Sequence, residues 1–355
     1  MTSRNKLTRI GILRQMRSSD TVLILSQDYE LFFGNSGSAE RCLLEPTDAL
    51  LTFARQRKVE ITFYVDAGML VAMREHAKSA PRLSQTLDKI LFQLQEIVRS
   101  GHEIGLHVHP HWHETRYADD AWDFSATRYK LSQFSAAEAC SITREYHAIL
   151  AEKCDFSPVS YRAGGFCTDS FPLIADTLQE LGVDIDSSIV PGARLHDASK
   201  GFDFSGCPDR SSWRFESDPV VATSGGRFIE VPVSPVKLPV FYYWGRLLQR
   251  LSGNIPTGQF GDGSSKTFNR AEAIRRLLGL RRVAEMSADL PKVLHLERAR
   301  RGQSRNVFHI MGHPKLLSSQ SIKLLTEFID RAGISESHTV EKCARRIYSQ
   351  APANP

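Results

Sequence analysis

The chain has 355 residues, 41% of them hydrophobic and 24% charged, with a formal net charge of +5. That balance supports a sizeable core and excludes a disordered or fibrous chain. The mild positive charge suits an anionic glycan, a lipid head group or a membrane surface; nucleic acid is not an expected partner, because no recognition motif accompanies the charge.

The first twenty residues spread their charges throughout and lack the apolar core of about 7–15 residues that an export signal needs. They read as an N-terminal extension, and the cytoplasm is the expected location. No stretch reaches the ~20 apolar residues that span a bilayer. Thr21–Ser26 (TVLILS) reads as a buried strand, Pro46–Lys58 as a helix, and Ile61–Val65 as a second strand. Ser84–Ser100 is an amphipathic helix closed by Gly101, and Glu103–His109 is the third strand. A helix over Ala136–Cys154, a strand at Val159–Arg162 and a helix over Ser170–Leu181 follow. Three more strands are expected at Val183–Ser187, Phe228–Val233 and Val307–Met311. Residues 191–227 are irregular, with a hairpin excursion expected from Trp213–Phe215 and Val220–Ala222, and Ser252–Ser265 is a second irregular piece.

Strand–helix alternation implies parallel strands joined by helical crossovers, and seven strands imply a closed or nearly closed α/β barrel with its chemistry at the strands' C-terminal ends. The expected layout is one domain over 21–340, with insertions near 191–227 and 237–292, and a tail at 341–355. The six cysteines contain no CxxC pair and read as reduced, mostly buried thiols.

The strongest chemical signal is Gly101–His113 (GHEIGLHVHPHWH), which places five histidines in thirteen residues. Pro110 makes one uninterrupted strand unfavourable. The chain is expected to turn near His109, leaving His107 at the strand end with His111 folded back beside it. Two imidazoles presented together bind a divalent metal such as zinc. Ser26–Gly34 (SQDYELFFG) supplies carboxylates: Asp28 and Glu30, two apart on a strand end, can point to one face. Buried there, they need a metal or a counter-charge.

GHEIGLHVHPH resembles the second motif of the polysaccharide deacetylases, the NodB-like carbohydrate esterases of family four. His107 and His111 match that motif's two metal-binding histidines, and Val108 stands where Ser or Thr is usual. SQDYE departs from the family's TFDDG. By the D-x-E pattern of some relatives, Asp28 resembles the catalytic base and Glu30 the metal ligand, or the reverse. YRAGGF at 161–166 resembles the third motif: Arg162 matches the arginine that orients the base, Gly164 replaces a proline, and the Gly165 N–H matches the oxyanion donor. VFHIMGHPK at 307–315 resembles the final motif, with His313 matching the general acid and His309 a structural residue. DIDSS at 184–188 lies at the fourth motif's place, where Asp186 either supports His313 or serves a turn.

The resemblance covers about residues 21 to 315 and implies a distorted seven-stranded parallel (β/α) barrel. It implies zinc-dependent removal of N-acetyl or O-acetyl groups from a glycan or glycan precursor in cell-surface polysaccharide synthesis. For a chain without an export signal, a lipid-linked or nascent precursor fits. Two other readings stay open: a hydrolase of a linear or cyclic non-sugar amide on the same fold, and a non-catalytic glycan- or lipid-binding protein. Finally, Lys237–Asn254 and Ala273–Met286 combine aromatic, leucine and arginine residues. They can lie on a membrane interface, giving peripheral contact through 237–286, or cover the barrel with a solvated basic face.

Overall fold

The β-branched and leucine runs become the strands of one curled sheet. The computed structural model describes residues 21–349, apart from 125–126, 198–199, 253–257, 266–269, 281–282, 290–294, 297–299 and 301–305. The expected N-terminal extension therefore lies outside the described residues, as does part of the irregular piece at Ser252–Ser265. The sheet strands are β1 (Val22–Tyr29), β2 (Ile61–Asp66), β3 (Glu103–Val108), β4 (Ser160–Ala163), β5 (Ile185–Asp186), β6 (Trp213–Phe215), β7 (Phe228–Glu230), β8 (Val307–Ile310) and β9 (Glu336–Ser337). Their spatial order is β6-β7-β5-β4-β3-β2-β1-β8, with β9 beside the start of β1.

The seven expected strands are all parallel strands of this sheet, with the short β9 an eighth, so the α/β barrel expectation holds. Strands β1 to β4 are buried along nearly their whole length, as parallel strands covered on both faces must be. Between β7 and β8 the seam is held by Ser234, just past β7. Its N–H donates to the His309 carbonyl at 3.0 Å, and its hydroxyl accepts the His309 N–H at 2.9 Å. One local expectation fails. Trp213–Phe215 pairs antiparallel with β7 rather than with 220–222, because the edge of β7 offers unpaired backbone groups.

Helices α1 (Glu45–Arg57), α2 (Ala67–Ala77), α3 (Pro81–Arg99), α4 (Ala136–Cys154) and α5 (Phe171–Glu180) alternate with the strands. On α3, Leu83, Leu87, Ile90, Leu94 and Ile97 fall on one buried face, the 3.6-residue period read from the sequence. Helix α4 starts at a reciprocal cap between Ser135 and Glu138. Helices α6 (Val240–Leu251) and α7 (Arg270–Leu277) belong to the insertion, and α8 (Ser319–Ala332) and α9 (Val340–Ser349) end the described chain.

Residues 341–349, read as the start of a tail, are instead helical. Val340, Cys343 and Ala344 of α9 pack with Ile24, Tyr64, Ile185, Ile229 and Val307, the apolar layer inside the barrel. The Val340 N–H donates to Thr62 Oγ1 and the Glu341 N–H to Glu103 Oε2, both at 2.9 Å. Helix α9 thus closes the end of the barrel where β2 and β3 begin. All six cysteines are free thiols, four of them buried. Among the described residues, no helix is long and apolar enough to cross a membrane.

Ile24 has no exposed surface and belongs to the interior layer, whereas Phe92 is 63% exposed on α3. Ile24→Ala is expected to cost about 2–5 kcal/mol, and Phe92→Ala less than about 0.5 kcal/mol, in urea denaturation.

Candidate active site

Above the apolar layer, the barrel interior becomes polar, and Arg162 on β4 forms its floor. Arg162 is completely buried. Its Nη1 donates to Asp28 Oδ1 at 2.6 Å, its Nη2 to Ser26 Oγ at 3.0 Å and to Ser187 Oγ at 3.1 Å, and its Nε to the Ser187 carbonyl at 2.8 Å. The guanidinium carbon stacks 4.0 Å from the Tyr64 ring centre. The period of two along β1 puts Ser26 and Asp28 on the interior face, within reach of one guanidinium. Burial alone would raise the Asp28 carboxyl. The Arg162 charge, with those of His107 and His313, holds it below its usual range.

The metal-donor group differs from the expected pair. Glu30, His107 and His109 bring one ligand atom each to within 4.8 Å of one another. His109 Nε2 lies 2.7 Å from Glu30 Oε2 and 3.1 Å from His107 Nε2. His107 Nε2 lies 3.4 Å from Glu30 Oε2. The chain stays extended through His109, so the strand period places His107 and His109 on the same side. Pro110 then opens a short 3-10 turn over Pro110–Glu114, and the Trp112 Nε1–H anchors that turn on Asp66 Oδ2 at 2.5 Å.

That turn carries His111 out of the group. His111 packs edge-on against Phe33, with ring centres 4.3 Å apart, and beside Trp112, Phe124 and Tyr129. Neither of its ring nitrogens has a hydrogen-bond partner. His113, on the same turn, is outside the group as well.

The donor set fits a divalent cation. His107 Nδ1 faces the Arg162 carbonyl at 2.9 Å. A carbonyl only accepts, so Nδ1 carries a proton and Nε2 points inward toward Asp28 and Glu30; burial would lower the ring, but those carboxylates raise it above its ordinary value, and a bound cation would take the Nε2 lone pair in place of a proton. Burial pushes His109 down to about 4, so this ring is neutral. The buried Glu30 Oε2 has no aligned hydrogen bond. Glu30 is held well below the usual carboxyl range: Lys315 and His109 outweigh the burial that would raise it. Lys315 Nζ donates to Glu30 Oε1 at 2.8 Å and to the Leu31 carbonyl at 2.7 Å. Two imidazoles and a carboxylate are a ligand set of hydrolytic zinc centres.

His313 lies past the end of β8, opposite the histidine strand. Its Nε2 stands 3.8 Å from Asp28 Oδ2 and 3.7 Å from Glu30 Oε1. Its supporting carboxylate is Asp289, not Asp186. Asp289 Oδ2 is 3.1 Å from His313 Nδ1, and Oδ1 accepts the His313 N–H at 3.0 Å. Burial would lower the imidazole, but Asp289, Asp28 and Glu30 raise it above its ordinary value. Asp186 instead sits fully buried beside Glu230 and accepts a hydrogen bond from Ser188 Oγ at 2.6 Å. His309 hydrogen-bonds Ser26 Oγ at 2.8 Å, a structural contact as expected.

Asp28, Glu30, His107, His109, Gly165, His313 and Lys315 all line one open cavity of about 280 Å³. Phe32, Phe33, Tyr129, Phe166 and Leu316 supply its apolar wall. Gly165 has a left-handed φ of +59°, and a Cβ there would meet the Tyr129 hydroxyl at 2.4 Å. At Gly164 a Cβ would meet His109 Nδ1 at 2.6 Å. The glycine that replaces proline in the motif is therefore the space His109 occupies. Sequence reasoning missed His109, Asp289 and Lys315. The H-x-H alternation could have found the first, and the spacing from His313 to Lys315 hints at the last, but nothing near Asp289 marks it.

No family model and no curated protein matches the chain. Among solved structures it is similar to a Mycobacterium smegmatis protein assigned by name to the polysaccharide deacetylases, at 15% identity and a TM-score of 0.48, over 94% of this chain and 92% of that one. It is similar to Puue allantoinase at 12% identity and a TM-score of 0.47, over 100% of both chains. It is also similar to the peptidoglycan deacetylase PdaC of Bacillus subtilis, at 11% identity and a TM-score of 0.36, over 95% of this chain and 96% of that one.

Arg162→Ala strands Asp28 without its counter-charge in the barrel interior. It is expected to cost about 3–5 kcal/mol in chemical denaturation. Asp28→Asn in the same background should restore part of that loss, since the uncompensated charge is then gone.

Proposed function

We propose that the chain is a metal-dependent hydrolase that removes an N-acetyl or O-acetyl group from a glycan or glycan precursor. The observation that carries this reading is the meeting, in one cavity, of a metal-donor triad with a carboxylate tied to an arginine and a histidine tied to a carboxylate. A base and an acid whose environments push their pKa values apart are the mark of proton-transfer chemistry. All members are present, which favours catalysis over a binding role.

A divalent cation, zinc by the donor set, would be held by Glu30, His107 and His109, and when bound supplies Lewis-acid polarisation of the acyl oxygen and of a water. Asp28, kept ionised and fixed in place by Arg162, accepts the proton of the attacking water at Oδ2. His313, protonated through Asp289, delivers a proton from Nε2 to the departing nitrogen or oxygen. The Gly165 N–H, at the cavity wall, is the proposed oxyanion donor, a role typically worth about 3–4 kcal/mol. The aromatic wall limits water around the reacting group. Lys315 orients Glu30 and offsets its charge.

The cavity of about 280 Å³ lies at the low end of ligand pockets, roughly 300–1,000 Å³. It takes an acyl group and its immediate attachment, leaving the rest of a glycan at the rim. A compact non-sugar amide would also fit, and a substrate panel separates the two.

Metal analysis of the purified protein should give about one equivalent, with loss in His107→Ala and His109→Ala and retention in His111→Ala. No uptake after zinc addition, or retention in His109→Ala, sinks the assignment. Acetate release from acetylated amino sugars should accompany the metal; release of product only from linear or cyclic amides would select the other substrate class.

The activity should also carry a signature of the His313–Asp289 pair. His313 is raised above its ordinary value, so it stays protonated to higher pH than a free imidazole near ~6.5. Asp289→Asn removes the largest raising influence. The alkaline limb of kcat against pH should therefore move to lower pH, with the acidic limb unmoved. An unchanged alkaline limb would show that His313 is not the acid.

A further inference from the structure

The described residues expose ten large apolar side chains, and seven of them lie on one structure, the α6–α7 insertion. Phe241, Trp244, Leu248 and Leu251 follow one another along α6 at intervals of three and four residues, so they share one helix face. Ile274, on α7, and Leu278 and Leu280, just after it, complete the set. All seven are between 48% and 75% exposed. The Trp244 Nε1–H donates to the Leu277 carbonyl at 3.1 Å, fastening the two helices together. Exposed apolar side chains in this number on one part of a folded protein mark an interaction site.

The charge around it points to the partner. Residues 237–282 contain nine Lys and Arg against two Asp and Glu, a net +7 in a chain whose total is +5. One of those two carboxylates, Glu272, is buried and paired with Arg276 at 3.1 Å. Two copies of this face meeting each other would bring like charges together at an apolar contact, which is unfavourable. An anionic lipid surface meets both features at once. Apolar and aromatic side chains enter the acyl boundary, and each nearby Lys or Arg adds roughly 1 kcal/mol of attraction, or about fivefold in partition.

The insertion is also joined to the segments that carry the cavity's residues. It leaves the barrel through Pro235–Lys237 and returns through Val283–Glu285, which pair with each other. The latter runs on within four residues to Asp289, the partner of His313. Between the helices, Ser264–Ser265 pairs with Gly34–Asn35, directly after the Glu30 segment, and the Gly261 N–H donates to the Lys315 carbonyl at 3.1 Å.

We propose that the α6–α7 insertion docks the protein peripherally on an anionic membrane surface and brings the cavity mouth to a lipid-borne substrate. The docking depends on the insertion alone; the lipid-borne substrate rests on the hydrolase reading above.

Vesicle sedimentation with the full chain tests this. Phosphatidylcholine vesicles are compared with vesicles containing phosphatidylglycerol. The protein should pellet with the anionic vesicles, less so as salt rises. The partition should fall about tenfold or more in Leu248→Asp/Leu251→Asp and in Arg270→Glu/Arg275→Glu. The second pair keeps the test decisive if the first fails to fold. Metal content and turnover of a water-soluble acetylated sugar should be unchanged in both. Protein remaining in the supernatant with anionic vesicles at low salt overturns the proposal, as does equal pelleting by the variants. A dimer that the variants convert to monomer, with no vesicle binding, assigns the face to a second copy and overturns it too. Failure of the hydrolase reading would appear separately, as absent metal or product with pelleting intact.

Discussion

A guanidinium with no surface in water has to be met on every side by acceptors, and in this barrel Arg162 ties its own strand to two others at once. Ser26 and Asp28 come from β1, and Ser187 follows β5, while Arg162 itself comes from β4. Ser26 in turn hydrogen-bonds His309 of β8, so a fourth strand joins the same network. The residue works at both ends. Its side chain fixes Asp28, and its backbone carbonyl fixes the tautomer of His107. Buried ion pairs are weak sources of net stability, because desolvation offsets the attraction. What this pair supplies is placement, since a misplaced guanidinium would leave several buried partners unsatisfied.

Around that floor, each ionisable group is paired so as to hold a different state. Asp28 is kept ionised by Arg162, and Glu30 by Lys315. His313 is raised by Asp289 and His107 by Asp28 and Glu30, while His109 is kept neutral by burial. Two carboxylates and three imidazoles within a few ångströms would otherwise share protons in several near-equivalent ways. Separate counter-ions on β4, on the loop ending at Asp289 and on the turn after His313 narrow that choice. They also explain why the cavity draws residues from so many strand ends.

The barrel was legible because its signal is local. Runs such as TVLILS and ITFYV, set between amphipathic helices, mark parallel strands with no need of tertiary information. Helix α9 was not legible as part of the domain, because its apolar face is short and its partner is the barrel interior, which exists only once β1, β2, β5, β7 and β8 are assembled. In the site, Asp28, Glu30 and His107 were legible as residue types at strand ends, and Arg162 and His313 through the resemblance of their motifs. The choice between His109 and His111 turned on where the turn sends the chain. The turn falls at Pro110, as the proline suggested, but it carries His111 against Phe33 instead of folding it back beside His107, and the extended His109 faces Glu30. Asp289 was invisible, because its link to His313 spans 24 residues of chain and lies in no pattern.

On the proposed reading, the size of the cavity has a consequence for specificity. A space of about 280 Å³ accommodates the reacting group and little else, so discrimination among substrates has to come from the rim. Joined to the segments that line the cavity is the insertion from Pro235 to Glu285, whose two ends connect to β7 on one side and to the Asp289 loop on the other. An element that touched only lipid could sit anywhere on the barrel. One that continues directly into the support of the acid histidine ties the orientation of the whole molecule to the geometry of proton delivery. The apolar face of α6 then does not need to recognise a sugar; it needs only to fix the height and tilt at which the cavity meets whatever the surface presents.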